Sequence, residues 1–205
     1  MPHAVTVFLL SPASCAGRRA KMLLNGTSPL ATRLAGAGAS LGEVFSFMSS
    51  LYFRGKLAYA NTFGAPPPDW PGAMVIAPGI GLVPADIVIH TAELRAMAAV
   101  PVDPTEPNFC EPLVRDALLL EAVLGADGRA VLLGSIASEK YVTPLVQVFG
   151  RRLHFPACFV GRGDMSRGGL MLRCARTGEP LDCVPVQGAV RHGQRPPKLA
   201  VEGGR

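Results

Sequence analysis

Three short apolar runs, Ala4–Leu10, Ala73–Ala77 and Ala130–Leu133, constrain this chain more than any other feature. Each is rich in aliphatic or β-branched residues and is closed by a turn-forming segment: Ser11-Pro12-Ala13, Pro78-Gly79 and Gly134-Ser135. Unbroken runs of this length are strands covered on both faces, as in a parallel sheet held between helix layers. The first is expected at the centre of the sheet.

Helical patterns separate the runs. Arg18–Leu24 is one. From Ser40-Leu41-Gly42-Glu43, which fits a capping box, Phe45, Met48, Tyr52, Tyr59 and Phe63 follow mostly at three- and four-residue steps, predicting a long helix from Leu41 or a pair broken at Gly55. Thr91 is expected to cap a helix through Met97, and Val100–Pro112 to form a loop. Leu113, Ala117, Leu120 and Leu124 share one helix face, which Gly125 ends. A last helix runs from the N-cap Ser138 to about Phe149, with Pro144 predicted to bend or shorten it. Strands at Leu153–Phe159, Leu170–Ala175 and Asp182–Val186 complete the sheet.

This order predicts an α/β fold: one domain over residues 1–187, with a mixed, mostly parallel central sheet flanked by helices, and a basic, poorly ordered tail over 188–205. The proline-rich Ala65–Pro71 segment reads as a stiff linker inside that domain. In such sheets ligands gather beyond the C-terminal ends of the strands. Four polar loops point there: the loop after Ser11, Gly79–Asp86, Ser135–Tyr141, and Gly161–Gly169, which carries Arg162 and Arg167 between two expected strands.

At 205 residues the chain is long enough for one sizeable core. No apolar run spans a bilayer, and the first lacks the basic residues and cleavage context of a signal peptide, so the expectation is a soluble, cytoplasmic protein without a membrane partner. The five cysteines form no C-x-x-C pair, and His3, His90, His154 and His192 are scattered, so neither a metal site nor a cofactor is expected. Walker A and G-x-G-x-x-G patterns are absent as well. Charge is segregated: residues 1–64 carry six Lys/Arg against one acid, 65–150 four against ten, and 151–205 ten against four. If the two ends meet in space they make a basic face suited to phosphate or nucleic acid.

Individual residues leave alternatives open. Ser11 or Ser14 either caps the first helix or joins its N-terminal amides in holding an anion. Arg54 and Lys56 are either functional cations or an exposed helix edge. Pro78–Asp86 partly matches the hairpin of a helix-hairpin-helix, but the preceding run is a strand and Pro84 opposes a second helix, so a loop turning on its glycines is the preferred reading. Cys15, near Arg18 and Arg19, is either an inert buried thiol or one of lowered pKa that senses peroxide.

Five segments in order, Leu10-Ser11-Pro12-Ala13, Phe53-Arg54-Gly55, Gly81–Asp86, Ile136–Tyr141 and Arg162–Arg167, resemble the YaaA family of peroxide-stress proteins. The resemblance implies a cytoplasmic α/β protein with a basic cleft that binds double-stranded DNA and protects it from peroxide and iron-driven damage; no established catalytic mechanism comes with it. The chain departs from the family pattern in three of these segments. Ser14 stands where a lysine follows Ser-Pro-Ala, the family tyrosine is displaced to about Tyr59, and the arginine before Pro84 is missing.

Two functions follow. In the first, the partner is DNA, held with weak sequence preference. Arg18, Arg54, Lys56, Lys140, Arg162 and Arg167 contact phosphates, and Ser11, Ser138 and Ser166 add neutral hydrogen bonds. In the second, the protein is an enzyme acting on a nucleotide, nucleobase or N-glycosidic bond, with Glu139 or Asp86 as general base and Tyr141 or Lys140 as acid or orienting group. A base-sized pocket favours the enzyme, and an open groove favours DNA.

Overall fold

The computed structural model describes residues 4–197. It is an α/β domain whose six-stranded sheet has the order β4-β3-β1-β6-β7-β8. The strands are β1 (Thr6–Leu10), β3 (Ala73–Ala77), β4 (Gly81–Pro84), β6 (Arg129–Leu133), β7 (Leu153–Pro156) and β8 (Cys183–Pro185). Of these, β3, β1, β6 and β7 run parallel, while β4 and β8 are antiparallel edges. A two-stranded ribbon of β2 (Ala39–Ser40) and β5 (Val88–Ile89) lies apart. The helices are α1 (Arg18–Asn25), α2 (Pro29–Ala35), α3 (Leu41–Ser49), α4 (Leu51–Phe63), α5 (Thr91–Ala99), α6 (Pro107–Leu124), α7 (Glu139–Phe149) and α8 (Asp164–Thr177).

Every residue of β1 and β3 is buried, because both faces of the sheet are covered. Alternate side chains divide between two cores, as the two-residue period of a strand requires. Phe8, Leu10, Val75, Val131 and Leu133 pack with α1–α5 and α8. Val7, Leu9, Ile76, Ala130 and Leu132 pack with α6 and α7. The chain leaves β1 towards β3 on one side and leaves β6 towards β7 on the other, so β1 and β6 flank the topological switch point. Leu10 pairs with Leu133 at their C-terminal ends, which sets the next residues, Ser11 and Gly134, side by side.

Several expectations are corrected. Gly161–Gly169 is not a loop between strands, and Leu170–Ala175 is not a strand: α8 occupies Asp164–Thr177, with Asp164 in its first turn near the helix dipole's positive end. The preceding strand stops at Pro156, and a 3-10 turn fills Ala157–Phe159. Gly168 meets Gly55 in a backbone-to-backbone crossing: a Cβ on Gly55 would lie 2.5 Å from the Gly168 carbonyl oxygen, and one on Gly168 would lie 2.6 Å from that of Leu51. Gly55 therefore stays helical, and the chain breaks at Ser50 instead, with φ 49°.

The Gly79–Asp86 segment turns at Gly79 (φ 77°) and then forms β4, where Pro84 is tolerated at the sheet edge. Helix α6 begins at Pro107, inside the expected loop, with the Glu106 side chain accepting from Asn108 N–H. Pro144 leaves α7 running to Phe149. Ser40 caps α3 as expected, accepting from Glu43 N–H, but neither Ser11 nor Ser14 caps α1, whose N-cap is Gly17. Thr91 is the first residue of α5, and the Glu93 carboxylate accepts from His90 N–H. The last part of the chain, from 198 onwards, and His3 lie outside the described residues. Among the described residues, no helix is long and apolar enough to cross a membrane.

Candidate functional site

Beyond the C-terminal ends of β1 and β6 lies a cavity of about 390 Å³, lined by Ser11, Ser14, Tyr52, Ser135, Lys140, Tyr141 and Asp164 among others. Five elements or their ends supply these residues. Ser11 follows β1, Ser135 follows β6, Tyr52 comes from α4, and the first turns of α7 and α8 contribute Lys140, Tyr141 and Asp164. The size suits a compact organic ligand.

Behind the lining residues Ser11 and Tyr52 lies Lys56, whose side chain is fully buried on α4 and does not itself line the cavity. Its Nζ lies 2.7 Å from the Ser11 carbonyl oxygen and 2.8 Å from Ser11 Oγ, and sits 4.0 Å from the centre of the Tyr52 ring. Ser11, itself 5% exposed, also donates from Oγ to the Leu133 carbonyl at 3.3 Å. A Cβ on Gly134 would approach Ser11 Oγ to 3.1 Å, so any larger residue there would press on Ser11. Burial lowers the Lys56 pKa from an ordinary 10.5 to about 7, with Asp164 opposing the shift and Arg167 adding to it. No carboxylate forms an ion pair with Lys56 among the described residues.

Tyr52 is four residues before Lys56 and so shares its helix face. It is 6% exposed, and its hydroxyl lies close to Arg167 and Ser11 but makes no well-formed hydrogen bond with either. Burial pushes its pKa up to about 12, so it remains a neutral donor. An orphaned buried hydroxyl is unfavourable unless something completes it. Sequence reasoning placed Tyr52 only in the core; the signal available was its four-residue spacing from Lys56. Tyr59, the expected counterpart of the family tyrosine, is occupied elsewhere: its hydroxyl accepts from Leu181 N–H at 2.7 Å.

The expected site residues separate into three groups. Ser11, Lys140 and Tyr141 are brought to the cavity, and Lys56 behind its lining. Arg162, Ser166 and Arg167 lie on the turn and helix beside it, with the two arginines turned onto their own backbone. Arg167 is 8% exposed and donates to the Phe159 carbonyl from Nε at 3.2 Å and Nη2 at 2.9 Å, while its Nη1 lies 3.5 Å from Asp164. Arg162 donates from Nε to the Cys158 carbonyl and from Nη1 to Ser166 Oγ. Both guanidiniums thus hold the turn between β7 and α8. Arg18 and Arg54 are exposed on α1 and α4 and do not line the cavity.

Asp86 is corrected outright. Because β4 returns antiparallel and Pro84 pairs with Met74 near the start of β3, Asp86 lies at the opposite end of the sheet, beside Gly72 and Ala73. Ser138 occupies the N-cap position of α7 without a capping side-chain bond. Glu139 is exposed and accepts from Thr143 Oγ1 at 2.6 Å and from Arg191. The Thr143 hydrogen bond leads in lowering its pKa, opposite to the tuning of a general base for neutral pH. The segment from Gly188 crosses nearby: a Cβ on Gly161 would lie 2.2 Å from the Gln194 carbonyl oxygen. Cys15 is buried, and desolvation raises its pKa to about 12, so the reading of a low-pKa peroxide sensor fails. Among the described residues, no cluster of His, Cys, Asp and Glu could hold a metal ion.

No protein-family model, no curated protein and no solved structure matches this chain.

Proposed function

We propose that the chain binds a nucleotide or nucleobase-containing ligand in the cavity beyond β1 and β6, as an enzyme does its substrate. The observation carrying this reading is the Tyr52 hydroxyl, buried behind the cavity wall beside Ser11 and Arg167 without a well-formed hydrogen bond. A ligand polar group completes it. The half-buried Tyr141 ring at the cavity wall offers apolar surface for a base, while Lys140 offers positive charge for a phosphate. The protein is taken as cytoplasmic.

Calorimetric titration with nucleoside monophosphates tests this. At least one should bind, and Tyr52→Phe should weaken it by roughly tenfold, the equivalent of one hydrogen bond of about 1.4 kcal/mol. If no monophosphate, nucleoside or free base binds, the reading is wrong. The resemblance to the peroxide-stress family, together with the exposed positions of Arg18, Arg54 and Lys140, favours a second reading, duplex DNA binding that protects against oxidative damage. DNA binding that excess monophosphate does not displace would support it.

A further inference from the structure

We propose that Ser11 and Lys56 form a nucleophile–base pair that cleaves an ester or amide bond through an acyl-serine intermediate. This rests on the strand-end cavity being a substrate site, but not on the ligand being a nucleotide. Geometry comes first. Ser11 Oγ lines the cavity and lies 2.8 Å from Lys56 Nζ, and the same Nζ is anchored 2.7 Å from the Ser11 carbonyl. At rest Nζ donates to the Ser11 carbonyl and to Oγ, while the hydroxyl proton points to the Leu133 carbonyl at 3.3 Å; for attack the hydroxyl turns that proton from this long contact to the lone pair of the neutral amine. Lys56 has the environment for the neutral form, being fully buried beneath the hydroxyl and without a carboxylate ion-pair partner among the described residues. Its lowered pKa, about 7, agrees with that role.

The step balances without any added reagent. As the bond from Ser11 Oγ to the acyl carbon forms, the hydroxyl proton passes to Lys56 Nζ. The tetrahedral carbon then expels its alcohol or amine, which takes that proton from the ammonium. Water attacks the acyl-serine, its proton passing to Lys56, and the carboxylic acid departs as Oγ recovers the proton. On substrate binding the Tyr52 hydroxyl, enclosed and without a well-formed hydrogen bond in the free protein, turns to donate to the oxyanion that develops at the carbonyl. The chemistry explains why a lysine is buried beside a serine at the switch point of the sheet, where stability alone would favour an apolar side chain.

The test uses an alkyl fluorophosphonate, which reports activated serines as fluoride leaves and an Oγ–phosphorus bond forms. Expected is one adduct mapping to Ser11, absent in Ser11→Ala, with a labelling rate that rises with pH around a midpoint near 7. Lys56→Met should slow labelling by about 100-fold or more and remove that midpoint. Should Lys56→Met fail to fold, the wild-type pH profile still decides. No adduct at Ser11 in the folded protein, or a rate without a midpoint near 7, overturns the proposal. An adduct without nucleotide binding would sink the ligand class and leave the pair intact; nucleotide binding without an adduct would do the reverse.

Discussion

Burying an ammonium group with no carboxylate against it is costly, and at Lys56 that cost depends on pH. The folded pKa is lowered to about 7 from 10.5, so between these values the unfolded chain holds a proton that the folded one has released. Stability therefore rises with pH from about 7, and the full cost of burying the charge applies below that. Cys15 and Cys183 act in the opposite sense. Burial raises their pKa values to about 12 and about 11 from 9.0, so above about pH 9 the unfolded chain ionises first and stability falls. Urea unfolding followed against pH should show a maximum near pH 9, and Lys56→Met should flatten the rise between pH 7 and 9. A second residue-scale expectation concerns Tyr52. Its hydroxyl is buried without a well-formed hydrogen bond, so Tyr52→Phe should raise the urea midpoint, by about 1 kcal/mol of stability, while weakening ligand binding. A variant less stable than wild type would mean that the hydroxyl is satisfied within the fold.

At the scale of elements, the crossing of α4 and α8 decides where the cations go. Gly55 and Gly168 let the two backbones touch, which buries their sequence neighbours Lys56 and Arg167. Gly55→Ala or Gly168→Ala should each destabilise by about 1–3 kcal/mol in thermal or urea unfolding, since each Cβ would meet backbone that cannot swing aside. Ser50→Gly should act oppositely: the α3–α4 junction holds a serine at φ 49° and ψ −123°, a conformation that only glycine adopts without strain, of order 1 kcal/mol. The same crossing explains what the sequence concealed. The parallel strands were legible because each is buried on both faces and written as an unbroken apolar run. Helix α8 was not, because Gly163, Gly168 and Gly169 resemble turn signals when their partner lies more than a hundred residues away. The burial of Lys56 and Arg167 was hidden for the same reason, as was the orphaned hydroxyl of Tyr52, whereas Ser11 was readable directly from its place after β1.

For the whole molecule, the packing of α4 on α8 brings parts of the two basic ends of the chain together, but it turns several of those charges inward. Of the six cations expected on DNA, Lys56 and Arg167 are buried, and Arg162 is bound through Nε and Nη1 to Cys158 and Ser166. Only Arg18, Arg54 and Lys140 are exposed. Each phosphate neutralised on duplex DNA contributes about −0.9 to the slope of log affinity against log salt, so three contacts give a slope near −3, against about −5 for six. If the chain binds duplex DNA, the shallow value is expected. Arg18→Ala should reduce the slope by about one unit, while Lys56→Met should leave it unchanged. Arg167→Ala is a poor probe, because removing its guanidinium takes two donors from the Phe159 carbonyl, leaving it the Arg162 N–H, and disturbs the turn before α8. Fluorescence-anisotropy titrations at several salt concentrations read these slopes. A slope of −5 or steeper would mean that cations beyond these three reach the phosphates, the exposed Arg19 and Lys21 beside Arg18 being the nearest in sequence.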